Sequence, residues 1–282
     1  MLRIRTPFLT TLALIAFAGN SLFCRLALKT TSIDATSFTT IRLIAGTLVL
    51  WLIVQYRGGQ IQQKGNWTSG MVLFVYAAGF SFAYRSLPTA TGALLLFGAV
   101  QATMIGFGLW AGERFQKVQF AGLVIAFSGI ILLLLPGISA PPLQESLLML
   151  SAGAAWGVYS LRGKGQGDPV RVTAGNFLRA APLSMVWSLV MIDSAALDMP
   201  GFWYAVLSGA LASAIGYCIW YTVLPSLKAT NAATVQLSVP VIAAAGGIVF
   251  LGESITVRLV LASIAILGGI AMVVMNRQRK TG

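Results

Sequence analysis

The sequence predicts an all-α membrane protein of ten transmembrane helices, arranged as two inverted five-helix repeats. Three observations lead there. The 282-residue chain is 57% hydrophobic and only 9% charged, with a mean hydropathy of +0.84, far too little polarity to cover a soluble domain of that size. Ten apolar stretches are long enough to be read as spans, each near the roughly 20 residues that a bilayer requires. Two segments also match without a gap at an offset of 140 residues: AGERFQKVQFAGLVIAFSGII at 111–131 and LGESITVRLVLASIAILGGIA at 251–271. The register runs back to Ser86-Leu87 over Ser226-Leu227, with Ala93 over Ala233 and Gly106 over Gly246. Internal duplication in an apolar chain is a signature of carriers built from two halves.

The elements follow in order. Span one (7–28) is preceded by Arg3 and Arg5, and Ala16-Phe17-Ala18 has the small-x-small form of a signal cleavage site. The apolar run continues past that point, however, and the repeat needs this helix, so it is read as a retained span. Span two (34–55) carries Arg42, and span three (68–86) places Tyr76, Phe80 and Tyr84 at spacing four on one face. Span four (88–111) holds Gln101 near its middle, and span five (118–136) follows the Gly112-Glu113 step. Span six (144–161) contains Ala155-Trp156-Gly157, and the loop RGKGQGDPVR at 162–171 is rich in turn formers. Span seven (172–192) carries Arg179, and span eight (201–223) has Tyr217, Trp220 and Tyr221. Span nine (230–251) contains Gln236, Pro240 and a run of small residues, and span ten (257–276) contains Gly268-Gly269. Pro240 is expected to kink span nine, and the small residues to let helices approach closely.

Charge placement explains the formal +12 without a nucleic-acid partner. With the N-terminus in the cytoplasm, the inner loops and ends hold Arg3, Arg5, Arg57, Lys64, Arg114, Lys117, Arg162, Lys164, Arg171, Lys228, Arg277, Arg279 and Lys280, and the outer loops only Lys29, Arg85 and Arg258. That asymmetry follows the positive-inside rule and predicts an integral protein of the plasma (inner) membrane with both termini cytoplasmic. Five spans per half, an odd number, put the second half in the membrane upside down, which makes inward-open and outward-open states near mirror images. The two units are residues 1–137 and 143–277.

The duplicated Gly-Glu step before spans five and ten, Arg42 in the Phe38-Thr39-Thr40-Ile41-Arg42 stretch, Ala155-Trp156-Gly157 in span six and Pro240 in span nine together resemble the drug/metabolite transporter superfamily, most closely its EamA-domain branch. In span one the aromatic-Gly signature is replaced by Ala18-Gly19, followed by Asn20-Ser21. The resemblance implies transport of amino acids, nucleosides, sugars or drugs, without choosing among them.

Ionisable groups inside a bilayer are functional candidates. Arg42 and Arg179, 137 residues apart and near-equivalent in the repeat, could each hold a carboxylate or phosphate with a planar fork, or bond carbonyls near a helix end. Tyr76, Phe80, Tyr217 and Trp220, with the amides of Gln101, Gln236 and Asn20, complete the candidate substrate-binding set. Trp156 and Trp187 read rather as packing residues. Glu113, Glu253 and Pro240 are candidates for gating or coupling, and for the two acids anchoring of a helix start is the simpler expectation. The chain has no His, and no Asp or Glu falls in the middle of a span. That pattern gives no support for a proton relay or for an acid/base set, so no enzyme is expected. Cys24 and Cys218 lie within spans and suggest neither a disulfide framework nor a metal site. No phosphate-cradling loop is present, and no cofactor is implied.

The expectation is therefore a secondary transporter, an exporter of a small organic metabolite, working by alternating access. A channel or a non-transporting membrane sensor is the alternative. Its partners are a small-molecule substrate and the lipid bilayer, and it is a monomer or weak homodimer.

Overall fold

The computed structural model describes residues 2–60, 64–112, 116–137, 139–163, 166–227 and 229–276, and all regular structure among them is helical. The helices are α1 (Leu2–Thr30), α2 (Ala35–Tyr56), α3 (Trp67–Ala83), α4 (Thr89–Trp110), α5 (Lys117–Leu134), α6 (Leu143–Gly163), α7 (Pro169–Val190), α8 (Met199–Leu207), α9 (Gly216–Val223), α10 (Ala229–Gln236), α11 (Val239–Leu251) and α12 (Val257–Asn276). A π-helical stretch, Ser208–Ile215, carries α8 directly into α9. Among the described residues, seven helical stretches are long and apolar enough to cross a membrane: Thr6–Thr30, Ala35–Tyr56, Thr89–Trp110, Lys117–Leu134, Met199–Ser226, Thr234–Leu251 and Val257–Met275. The other three expected spans have physical reasons to fall outside that set. α3 has only 17 residues. α6 has Gln144, Glu145 and Arg162 near its ends, and α7 carries Arg171, Asn176 and Arg179.

Side chains at the helix starts explain where most elements begin. The Asp34 carboxylate accepts the N–H groups of Thr36 and Ser37 at 2.8 and 3.0 Å and opens α2. Asn66 caps α3, Asp168 caps α7 and Asp198 caps α8 in the same way. At α5 a reciprocal pair, Gln116 and Gln119, closes the first turn. α4 begins behind Pro88 and has no capping side chain from its own segment.

Close helix crossings occur where small residues face one another. α5 and α12 touch through Gly122 and Gly269, where a Cβ on either would strike the other's carbonyl oxygen. α6 packs on α4 through Gly153 and Gly157, one turn apart, against Leu96, Val100 and Thr103. α2 packs on α7 through Gly46 against the Phe177 ring, and the Thr40 hydroxyl lies 2.7 Å from that of Ser188. Of the small residues expected to serve this purpose, Gly269 and Gly247 do so, while Gly268 has open space around it.

Pro240 differs from its expected role. The helix stops at Gln236, turns through Leu237 and Ser238, and restarts as α11, with Pro240 in the first turn. A proline there gives up an N–H that the helix start would leave free in any case. The residue marks the start of a new helix and not a bend within one.

Candidate functional site

One buried polar network forms where α1, α2, α3 and the π stretch converge. Asn20 on α1 is 7% exposed, and its amide Nδ2 donates to Tyr76 Oη at 3.3 Å. Its Oδ1 accepts the Ser208 hydroxyl at 2.7 Å. Arg42 on α2 is 1% exposed and donates from Nη2 to the same Tyr76 Oη at 3.1 Å. The Arg42 guanidinium also lies over the rings of Tyr76 and Phe80, at 5.3 and 4.9 Å from their centroids. The backbones of α2 and the π stretch touch at this level, since any Cβ on Gly209 would collide with the Arg42 carbonyl oxygen. π turns often mark functional positions, because their wider turn re-aims side chains.

An aromatic cluster adjoins this network. The Trp156 ring lies 4.8 Å from Tyr76 and stacks on Tyr159 and Tyr217, both at 5.2 Å. Phe17 leans on Tyr217 and Trp220, and Phe177 meets Tyr217 edge-on. Phe80 continues the row from Tyr76 to Tyr84. Local spacing accounts for the arrangement. Gly153 and Gly157 hold one face of α6 against α4, and Trp156 and Tyr159 lie on another, which turns to the centre. Tyr217 and Trp220, three apart on α9, reach the same cluster, and Tyr76 and Phe80, four apart on α3, meet it from the other side.

The remaining candidates have other surroundings. Gln101 is 5% exposed on α4. Gln236 is the half-buried last residue of α10, beside the break. Arg179 donates from Nη1 to the carbonyl oxygens of Gly175 and Lys64, at 2.7 and 2.9 Å. Lys64 lies just before α3, and Gly175 lies one turn back along α7. Glu113 lies outside the described residues.

Glu253 corrects the expectation that the Gly-Glu step anchors the helix that follows it. α12 starts only at Val257. Gly252, in the left-handed region at φ 63°, instead ends α11, and Gly112, at φ 91°, occupies the equivalent place after α4. The turn at Gly252 sends the Glu253 side chain to α4. Its Oε2 accepts the Thr89 N–H at 2.8 Å, supplying the cap that Pro88 cannot. Its Oε1 pairs with Arg25 Nε at 3.4 Å, and both side chains are 10% exposed. Arg25 Nη1 donates further to the carbonyl oxygens of Tyr84 and Arg85, at 2.9 and 2.8 Å. One ion pair thus ties the ends of α1, α3 and α11 to the start of α4. It borders a cleft of about 270 Å³ lined by Ser86, Thr91, Pro142, Glu253 and Thr256.

At the same end of the bundle, Asp34 binds across the chain as well as capping α2. Its Oδ2 accepts the Ala196 N–H at 3.0 Å. Partial burial pushes this carboxyl up, but hydrogen bonds from Ser37, Ala196 and Thr36 outweigh burial and hold it below its ordinary range.

Sequence reasoning did not single out Arg25, Ser208, Tyr159, Phe17 or Phe177 for the site. Arg25 carried the one usable signal, a cation within span one. Its carboxylate partner is 228 residues away in sequence, and no local pattern connects them.

Known proteins bear on this arrangement. The EamA-like transporter family matches the chain twice, over residues 5–135 and 144–275. An uncharacterized protein of Pseudomonas aeruginosa is 52% identical over 274 residues, covering 97% of this chain and 96% of its own. The uncharacterized transporter YoaV of Bacillus subtilis is 24% identical over 83% of this chain and 85% of its own. The threonine/homoserine exporter RhtA of Escherichia coli is 25% identical over 79% and 76%. A solved crystal structure aligns with a TM-score of 0.67, at 22% identity, over 95% of this chain and 99% of its own, a likeness of fold. Two family matches that together span nearly the whole chain, on an apolar helical bundle, make this protein an integral membrane transporter that belongs to the EamA-like transporter family.

Proposed function

We propose that the chain is a secondary transporter that exports a small organic metabolite from the cell. It alternates between two inverted five-helix repeats, residues 1–137 and 143–277, in the plasma (inner) membrane with both termini in the cytoplasm. The observation that carries this reading is the position of the polar centre. Asn20, Arg42 and Tyr76 come from the first half, and Ser208, Trp156 and Tyr217 from the second, so the site lies where the halves meet. A centre at the interface of two repeats is the arrangement that rocking of one half on the other exposes alternately to the two sides.

The packing pattern supports the same reading. Exchanging the halves maps α2 onto α7 and α5 onto α12, and each of these pairs is in direct contact. It likewise maps the packing of α3 on α6 onto the packing of α8 and α9 on α1, which is also present. The substrate-binding residues are Asn20, Arg42, Tyr76, Phe80, Tyr217 and Trp220, with Gln101 and Gln236 reached from α4 and α10. Arg179, held by carbonyls, steadies the start of α7. Glu253 gates the end at which it holds α4. The relatives named as threonine/homoserine exporters make amino acids the first class to test.

Purified protein in proteoliposomes, preloaded with unlabelled compound and assayed for counterflow of labelled amino acids, nucleosides and cationic drugs, tests the reading. Saturable counterflow of at least one class supports a carrier. Conductance without saturation, seen as single-channel events, overturns it.

A further inference from the structure

The polar centre has more donors than acceptors, and this imbalance points to a ligand. Arg42 remains protonated at any physiological pH. Its guanidinium is buried, yet Nε and Nη1 have no hydrogen-bond partner, and only Nη2 is engaged, by Tyr76 Oη. The same phenolic oxygen accepts the Asn20 amide as well. Two donors therefore converge on Tyr76 Oη, and its own hydroxyl hydrogen has no acceptor among the described residues. The rings of Tyr76 and Phe80 stabilise the cation through their faces, but ring faces are weak partners for N–H groups.

Among the described residues, no acid stands beside Arg42. The ionisable side chains beside Arg42 are the phenols of Tyr76 and Tyr217 and the thiol of Cys24. The six described acids are engaged elsewhere or lie at helix ends: Glu253 pairs with Arg25, Asp168 with Arg171, Asp34 and Asp198 cap helix starts, Glu145 accepts Ser86 in the first turn of α6, and Asp193 lies in the short turn after α7.

The free atoms also suit one particular anion. A carboxylate takes two parallel N–H bonds, from Nε with one Nη2 hydrogen or from Nη1 with the other. Tyr76 uses one Nη2 hydrogen. Whichever it uses, the second completes an intact fork with Nε or with Nη1. There is one free fork and one unpaired cation here, because Arg25 already has Glu253 as its counter-charge and two carbonyls on Nη1. That matches a single negative charge on a planar group and leaves a phosphate dianion under-neutralised. Trp156, stacked among Tyr76, Tyr159 and Tyr217, provides a flat apolar wall for the remainder of a small molecule.

We propose that Arg42 and the Tyr76 hydroxyl anchor the single carboxylate of the transported molecule, so that the substrate is a small monocarboxylate, anionic or zwitterionic, and not a phosphate ester, a neutral nucleoside or a cationic drug. The proposal rests on the carrier reading above for transport, but binding can be measured without flux.

The test uses the full-length protein and paired probes: threonine, leucine and lactate, each against its carboxamide, together with sodium chloride and inorganic phosphate. Tryptophan fluorescence of detergent-purified protein reads binding, and proteoliposome counterflow reads transport. At least one acid is expected to bind while its amide binds about 10- to 100-fold more weakly, the loss for a charged hydrogen-bonded pair. Arg42→Lys keeps the charge, loses the fork and is expected to weaken the acid without changing the amide. Arg42→Gln is scored only where it elutes as a monodisperse species, and Arg42→Lys keeps the test decisive where it does not.

Equal binding of acid and amide, silence of every acid, or a response to chloride or phosphate alone that Arg42→Lys removes would each overturn the proposal. Counterflow of a nucleoside or a cationic drug with no acid bound overturns the carboxylate anchor and leaves the carrier reading intact. Acid binding that depends on Arg42, without counterflow of any compound, upholds the anchor and counts against the carrier.

Discussion

Replacing Glu253 by alanine removes two contacts at once. The carboxylate holds Arg25 at 3.4 Å and caps α4 through the Thr89 N–H at 2.8 Å, with both charged side chains 10% exposed. Breaking one side of a buried ion pair costs about 3–5 kcal/mol. The slight exposure, the 3.4 Å spacing and the two carbonyls that Arg25 retains place this pair at the low end, about 3 kcal/mol. Glu253→Gln keeps an acceptor for Thr89 and removes the charge, a loss of about 1.5 kcal/mol. On the alternating cycle proposed above, both losses fall on the state in which this pair is formed. In a protein that exchanges between two states, they raise the population open at this end by about 100-fold for alanine and about tenfold for glutamine. Thr91, 6% exposed on α4 and facing the adjoining cleft, reports the opening. Thr91→Cys, in a background carrying Cys24→Ala and Cys218→Ala, is expected to react with an external membrane-impermeant thiol reagent faster in that order. If Glu253→Ala leaves the rate within about twofold of the parent, the scatter of unconnected sites, the pair does not control this end and the reasoning fails.

Three further outcomes follow from other parts of the molecule. Reporter fusions after residues 60, 115 and 165 should read as cytoplasmic and those near 31, 140 and 196 as external, and a reversal at 165 would break the five-plus-five topology. Gly209→Ala should lower thermal stability by about 1–3 kcal/mol or more, because its Cβ meets the backbone of Arg42, whereas Gly106→Ala, with open space around it, should leave fluorescence-detected unfolding unchanged. The Asp34 carboxyl is held below its ordinary range in the folded protein. Its contribution is therefore present above the unfolded value of about 3.9 and is lost as pH falls through the lower folded value, so Asp34→Asn should flatten the acid limb of stability against pH, and an unchanged limb would remove its role.

The helical class and the positions of most elements were legible because long apolar runs are local signals. The aromatic rows were legible for the same reason. Spacings of three and four residues put Tyr76 with Phe80, and Tyr217 with Trp220, on shared faces before any packing is known. Pairings across the sequence were not legible. Arg25 finds Glu253, and Asn20 finds Ser208, only once the bundle is assembled. The Gly-Glu step misled because the same dipeptide can open one helix or close another, and only the left-handed turn at Gly252 decides between them. Pro240 was read as a kink, but it sits in the first turn of a new helix, and the break at Leu237-Ser238 depended on where that helix could start. Arg179 resembled Arg42 by position in the repeat, yet it lies within reach of carbonyls that Arg42 lacks.

The π stretch at Ser208–Ile215 sets the angular phase of everything after it. Each residue advances an α-helix by about 100°, so one residue more or fewer in this segment turns α9 by that angle. In the present phase Tyr217 lies flat on Trp156 and Trp220 meets Phe17. Shortened by a single residue to regular α geometry, the same helix would carry the tyrosine off its stacking partner and bring a neighbouring side chain to the wall, with no change in composition. The identity of the surface that faces the centre is therefore fixed by how many residues make up one wide turn as much as by which residues they are.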